Sequence, residues 1–333
     1  MDARQKSLEH WLKTVCHFDH YILEPLAGDA SFRRYFRVTH QGDLYIAMDA
    51  PPPRENCLPY VLIANAIRKN GLSAPIVFHQ DINQGFLLLS DFGNRLLLSE
   101  LNQENMKDLY GYALDALAVL QTCRKVDDYQ LPLFSAEFMV AELQLFKEWF
   151  LQNYLGLTLS IETEKMLDAL FHFLAESAAS QPQVFMHRDY HSANLMILPN
   201  EEIGILDFQD AFIGPVTYDV VSLLRDCYIA WPSEQIETLA LAYKDKIQLT
   251  DVSKETYLRW FDLMGMQRHL KALLTYARKY KRDQNDNYLQ HIPRALNYIS
   301  HVANQYSECA AFNVFLNAEI LPALKKVTLT CEQ

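Results

Sequence analysis

Residues 184–210 read VFMHRDYHSANLMILPNEEIGILDFQD. Three apolar runs, at 184–186, 195–198 and 203–206, alternate with three polar clusters. Short apolar runs bounded by turn residues predict buried strands. The polar clusters then fall at strand ends, where a scaffold aims side chains into a cleft. They carry Asp189, Asn194 and Asp207. An Asp and an Asn five residues apart, with a second Asp beyond the next strand, suit phosphoryl transfer to a hydroxyl. One carboxylate accepts the proton of the attacking hydroxyl. The amide oxygen and the second carboxylate hold Mg2+, which neutralises charge on the phosphates of ATP. The competing reading makes all three polar loop residues that cap turns.

The chain around this stretch is 333 residues long, enough for two lobes with sizeable cores. Half of it is hydrophobic, which places it among globular chains. A formal net charge of −11 argues against a nucleic-acid partner. No window is long and apolar enough to span a bilayer, and the N-terminus lacks an apolar signal core. The six cysteines are scattered without metal-ligand spacing, so a reducing cytoplasm is expected.

Upstream, Leu8, Trp11, Leu12 and Val15 recur at helical spacing. Residues 21–26, 34–39, 44–50, 75–79 and 85–90 alternate or run like strands. Between the first two lies Gly28-Asp29-Ala30-Ser31, whose backbone and Ser31 hydroxyl suit ATP oxygens. A plain hairpin turn fits this single-glycine loop equally well. Helices are expected over 58–70, from 102 onward, over 136–155, 163–180, 235–248, 254–283 and 292–316. Between Arg259 and Arg294 stand eight Lys or Arg against three Asp and no Glu. This run is either a solvated face or a lining for an anionic substrate. Asp210 either meets acceptor hydroxyls or forms a turn.

His187-Arg188-Asp189 with Asn194 resembles the kinase catalytic loop H-R-D-x-x-x-x-N, and Ile205-Leu206-Asp207-Phe208 is similar to the metal-binding strand end of aminoglycoside-phosphotransferase-like kinases. The resemblance implies an α+β, protein-kinase-like bilobal fold. Residues 1–91 would form a small, mostly β nucleotide-binding lobe and 92–333 a larger, mostly α catalytic and substrate-binding lobe. Asp189 would be the catalytic base and Asn194 and Asp207 the Mg2+ ligands. Asp91-Phe92-Gly93 precedes the catalytic loop, so it reads as a hinge. There residues 89–91, Leu89 and Asp91 included, would offer backbone groups to adenine. Asp219 would steady the catalytic loop.

One departure stands out. Met48 falls where kinases carry a phosphate-binding lysine, and the helix over 58–70 holds no glutamate. Arg33, Arg34 and Arg37 lie nearby, and one of them is expected to replace the lysine, since guanidinium grips phosphate in a bidentate way. For any single one, a solvent-facing strand residue is the alternative. Further stretches, GDASFRRYFRV (28–38), MDAPP (48–52), GFLLLSDFG (85–93), ILDFQDAFIGPVTYDVVSLLRDCYIAWP (205–232) and MQRHLK (266–271), resemble the anomeric N-acetylmuramate and N-acetylglucosamine kinases of bacterial cell-wall recycling. That implies a small amino-sugar acceptor, with Arg225 and Arg268 meeting its carboxylate. Two other readings stay open. One is a kinase for aminoglycosides or amino alcohols, and the other is a non-catalytic kinase-like binding module.

Overall fold

The computed structural model describes residues 2–26, 32–123, 125–127 and 129–331. Helix α1 (Ala3–Thr14) precedes strands β1 (Ile22–Pro25), β2 (Arg34–His40) and β3 (Asp43–Asp49). Helix α2 (Leu58–Lys69) leads to β4 (Val77–Asp81) and β5 (Phe86–Ser90). A short α3 (Leu97–Glu100) is followed by α4 (Met106–Leu120) and α5 (Ala136–Phe146). After α5 the chain runs on as a π-helix, Lys147–Tyr154, then α6 (Ile161–Ala179) and β6 (Gln183–Met186). Strands β7 (Leu195–Ile197), β8 (Ile203–Ile205) and β9 (Phe212–Pro215) come next. The rest is helical: α7 (Tyr218–Leu224), α8 (Ser233–Lys246), α9 (Lys254–Asp283), α10 (Ile292–Gln305), α11 (Ala310–Phe315) and α12 (Leu321–Cys331). Backbone contacts divide the chain into two compact units, Met1–Leu131 with Ala193–Ala211, and Pro132–Ser192 with Phe212–Gln333.

The first unit is built on an antiparallel sheet of order β1-β2-β3-β5-β4. Alternation in β2 turns Phe36 and Val38 inward, where Leu8, Trp11 and Leu12 of α1 cover them with Phe86 and Leu88 of β5. Met48 is wholly buried, a thioether in the core at the strand position where kinases carry a phosphate-binding lysine. Its neighbour Asp49 is also fully buried, and a buried carboxylate must be paired. Arg34 supplies a 2.6 Å bond and Arg4 a second, while Arg34 also holds Asp2. The four groups clip α1 to the sheet. Gly85 has φ +74°, and a Cβ there would lie 1.9 Å from the Ala50 carbonyl oxygen, so no other residue fits.

The hairpin β7–β8 belongs to this unit because its backbone is bonded into it. The Ile205 N–H donates to the Ser73 carbonyl at 2.8 Å, and the Ile197 N–H to that of Arg95 at 2.8 Å. Phe92 lies over Gly204, where an added Cβ would come within 2.6 Å of its ring. These bonds place Asn194 and Asp207, at the two ends of the hairpin, in the unit that holds the sheet.

In the second unit α9 is the central element, packed by α5, α6, α7, α8 and α10. Its start is capped by Ser253, whose hydroxyl accepts from the Thr256 N–H, and Lys281 and Arg282 sit in its last turn. The expected helix over 292–316 is instead broken. Tyr306 turns extended after α10, and its hydroxyl donates to Asp262 at 2.6 Å, a tertiary bond invisible to local periodicity.

The middle of α9 buries His269 against Tyr298, with its Nε2 2.9 Å from the Arg225 carbonyl oxygen. Burial, then the charges of Arg268 and Arg225, push its pKa down to about 3. The unfolded chain takes up this proton near pH 6.5 and the native chain does not. Native stability therefore falls as pH drops from 6.5 towards 3. We expect about 2–3 kcal/mol of this loss between pH 6.5 and 4.5, at about 1.4 kcal/mol per unit. Urea unfolding of His269→Gln should show a shallower loss over that interval. An identical slope in both proteins would show that His269 is not the group responsible.

Candidate active site

The stretch after β6 is held by two buried carboxylates of the same unit. Asp219, at the start of α7, accepts the N–H of His187 at 2.6 Å and of Arg188 at 3.0 Å. Asp226 accepts the N–H of Ser192 at 3.0 Å and also its hydroxyl. Asp189 lies between these two anchor points. Arg188 just before it adopts φ +80°, a conformation costly for a residue with a Cβ and tolerated where the surroundings fix it. Its side chain is fixed by Glu142 at 2.8 Å and lies over the ring of Phe212.

The Asp189 carboxylate, about a third exposed at 34%, faces the Lys271 ammonium at 3.3 Å. Burial disfavours its charge, but Lys271, His191, Arg268 and Arg188 outweigh burial and hold the carboxyl well below the usual carboxylate range. Asp189 is therefore an anion across all physiological pH. Such a group accepts a hydroxyl proton and orients that hydroxyl without becoming protonated at rest. Arg268 is buried beside the ring of Tyr218, and its field acts on both Asp189 and Asp226. Arg225 is committed elsewhere, to Asp262 at 2.5 Å and to the face of Phe261.

In the first unit Asn194 Nδ2 lies 3.4 Å from Asp207 Oδ2, while Gln209 donates to Asp207 Oδ1 at 2.8 Å. Asp207 has φ +60°, another positive-φ non-glycine position of the stretch after Arg188, Asn200 and Glu201. An amide beside a carboxylate is a donor set for a hard cation, and turning the Asn194 amide presents its oxygen to the metal. Mg2+ needs little more from protein, since it takes its other ligands from water and phosphate. Asn194 and Asp207 therefore fit it. They line a cavity of about 310 Å³, whose apolar walls include Ile46, Leu89, Met196 and Leu206. Its size and lining suit a nucleotide base with its phosphates at the polar end. Leu89, Asp91 and Gly93 line the same cavity, and Asp91 is held there by Arg37.

Arg33 lies within the charge field of Asp207. Its Nε lies 3.3 Å from Glu55 and its Nη2 lies 3.5 Å from Asp210. Burial opposes its charge, but Tyr35, Glu55, Asp207 and Asp210 outweigh it and raise its pKa. Arg33 and Glu55 thus form an ion pair within the charge field of Asp207 and Asp210, with Glu55 ahead of α2. Asp210 faces Arg33 and Gln209 in this unit. Arg34, engaged by Asp2 and Asp49, does not line the cavity. Ser31 lies outside the described residues.

Lys271 and Glu142 escaped the reading of single motifs. The signal for Lys271 was its place in a polar stripe, Gln267, Lys271, Thr275 and Arg278, at helical spacing along α9.

The phosphotransferase enzyme family (APH) model matches residues 22–255, more than half of the chain. The chain is 39% identical over 332 residues to the N-acetylmuramate/N-acetylglucosamine kinase of Pseudomonas aeruginosa, covering 95% of this chain and 96% of that one. It is 37% identical over 320 residues to the kinase of the same name from Neisseria meningitidis, covering 94% and 95%. Among solved structures, a choline kinase from Streptococcus pneumoniae superposes with a TM-score of 0.65 at 14% identity, over 90% of this chain and all of that one. The fold is accordingly protein-kinase-like, with an antiparallel sheet towards the N-terminus and helices towards the C-terminus. A strained loop ending on a base-like carboxylate, an amide–acid pair beside a nucleotide-sized cavity, and a whole-length match to named kinases agree: the chain belongs to the phosphotransferase enzyme family.

Proposed function

We propose that this protein transfers the γ-phosphoryl group of ATP to the anomeric hydroxyl of N-acetylmuramate and N-acetylglucosamine, in the cytoplasm, during peptidoglycan recycling. The observation that carries the reading is identity of 37–39% over nearly the whole chain to relatives bearing that substrate pair in their names. The charge around Asp189 supports it. Lys271, Arg268 and Arg188 surround this carboxylate, a poor reception for a polycationic aminoglycoside. No helix among the described residues is long and apolar enough to cross a membrane.

In this reading residues 1–91 carry the nucleotide and 92–333 the base and acceptor, with the hairpin β7–β8 adding the metal ligands. Asp189 orients the sugar hydroxyl and takes its proton as the bond to phosphorus forms. Lys271 keeps that carboxylate anionic and aimed. Mg2+, held by Asn194 and Asp207, would neutralise charge on the phosphates. Arg33, positioned by Glu55, grips a phosphate oxygen in place of the missing lysine. Leu89 and Asp91 lie along the base. In-line transfer needs acceptor and donor on one substrate pair, and only four residues of chain, 190–193, separate Asp189 from Asn194. Most of the rate then comes from positioning and preorganised charge.

ADP release measured with a panel of acceptors tests this. Turnover is expected with both sugars and not with choline or kanamycin. Turnover with an amino alcohol alone would replace the acceptor assignment. Arg33→Ala is expected to raise the KM for ATP roughly tenfold or more, the loss of one charge-assisted contact. An unchanged KM would remove Arg33 from the phosphate site.

A further inference from the structure

The second unit contains a cavity of about 360 Å³ that the assignments above leave without an occupant. Its apolar wall is Phe138, Leu145 and Leu274, and its polar lining is Glu142, Arg188, Lys271, Thr275 and Arg278. Three cations face one carboxylate, and the pairing among them is uneven. Arg188 is bound to Glu142 at 2.8 Å. Lys271 is bound to Asp189 at 3.3 Å. Arg278 has no hydrogen bond or ion pair within 4 Å among the described residues, and its Nε is buried without a partner. The nearby acids are already engaged, Glu142 by Arg188 and Asp283 by Arg282. Burial and the neighbouring Arg282 push the Arg278 pKa down, as expected for a charge that lacks a counterion. A half-buried guanidinium in this condition is stabilised by any anion that reaches it.

Arg278 stands seven residues beyond Lys271 on α9, two turns along the same stripe, or about 10 Å at 1.5 Å per residue. Lys271, which is bonded to Asp189, and Arg278 line one cavity, so an acceptor hydroxyl at Asp189 and an anionic group two ring carbons away would meet cations of the same lining. Among the two sugars above, N-acetylmuramate alone carries such a group, the carboxylate of its lactyl ether. Arg225 cannot serve, being paired with Asp262. Arg268 lies buried between the fields of Asp189 and Asp226.

We infer that Arg278 is a specificity-determining residue that binds the lactyl carboxylate of N-acetylmuramate in this cavity, with no counterpart contact to N-acetylglucosamine. The inference rests on the amino-sugar kinase reading and deepens it.

The test compares kcat/KM for the two sugars in the full-length protein, Arg278→Gln and Arg278→Lys. The ratio of N-acetylmuramate to N-acetylglucosamine should fall roughly tenfold to a hundredfold in Arg278→Gln, carried by KM. Arg278→Lys should recover part of it. A ratio unchanged in Arg278→Gln overturns the inference. A substrate-side measurement does not depend on the variant folding. With the unsubstituted protein, N-acetylmuramate amidated at its lactyl carboxyl should lose the same factor relative to the acid. Equal use of amide and acid overturns the inference, as does unsubstituted protein that phosphorylates N-acetylglucosamine alone. Unsubstituted protein that phosphorylates neither sugar refutes the kinase reading and this inference with it, so the two failures are told apart before any variant is made.

Discussion

Asp189→Asn is expected to lower kcat about a thousandfold while leaving ATP affinity within about twofold. Asparagine keeps the shape and the loop, whose bonds run through Asp219 and Asp226 and not through the Asp189 side chain. It removes the charge that accepts the hydroxyl proton and that Lys271 faces. The nucleotide cavity is lined by residues of the other compact unit, so binding of ATP should not follow the loss. Single-turnover kinetics with a parallel calorimetric titration separates the two. Near-normal turnover in the variant would remove Asp189 as the base.

Asp207→Asn should have a comparable effect by a different route. It replaces the carboxylate beside Asn194 with a neutral amide. Since a bound metal contributes several kcal/mol of charge stabilisation, kcat/KM for Mg-ATP should fall at least about a hundredfold. The Mg2+ concentration for half-maximal rate should rise as well. Calorimetry adds a readout independent of turnover: Mg-ATP should bind more weakly to the variant, whereas ATP with chelator should bind both proteins alike. Mg-ATP binding that matches the unsubstituted protein would show that Asp207 does not hold the metal.

Local patterns reached far into this molecule. The alternation of 184–210 set the three strands β6, β7 and β8, and the apolar spacing of Leu8, Trp11 and Leu12 set α1, because each element buries one face and repeats at its own period. What local pattern cannot carry is the choice of partner. Arg33 and Arg34 are neighbours in sequence, yet one meets Glu55 and Asp210 and the other closes on Asp2 and Asp49. Lys271 lies 82 residues from Asp189, and only the packing of α9 brings them together. The basic run over α9 read as either a solvated face or a lining. Lys281 and Arg282 are exposed, while Arg268 is buried and Lys271 and Arg278 are partly buried. A helix displays one stripe to its unit and another to water, and net charge alone does not say which residues fall on each.

The position of the transferred phosphate is the decisive property. Mass spectrometry and phosphorus NMR of the product from N-acetylmuramate and Mg-ATP should show one phosphate at C1, loss of the reducing end and one ADP per sugar. A phosphate on any other hydroxyl, or ATP left intact, would contradict the proposed function.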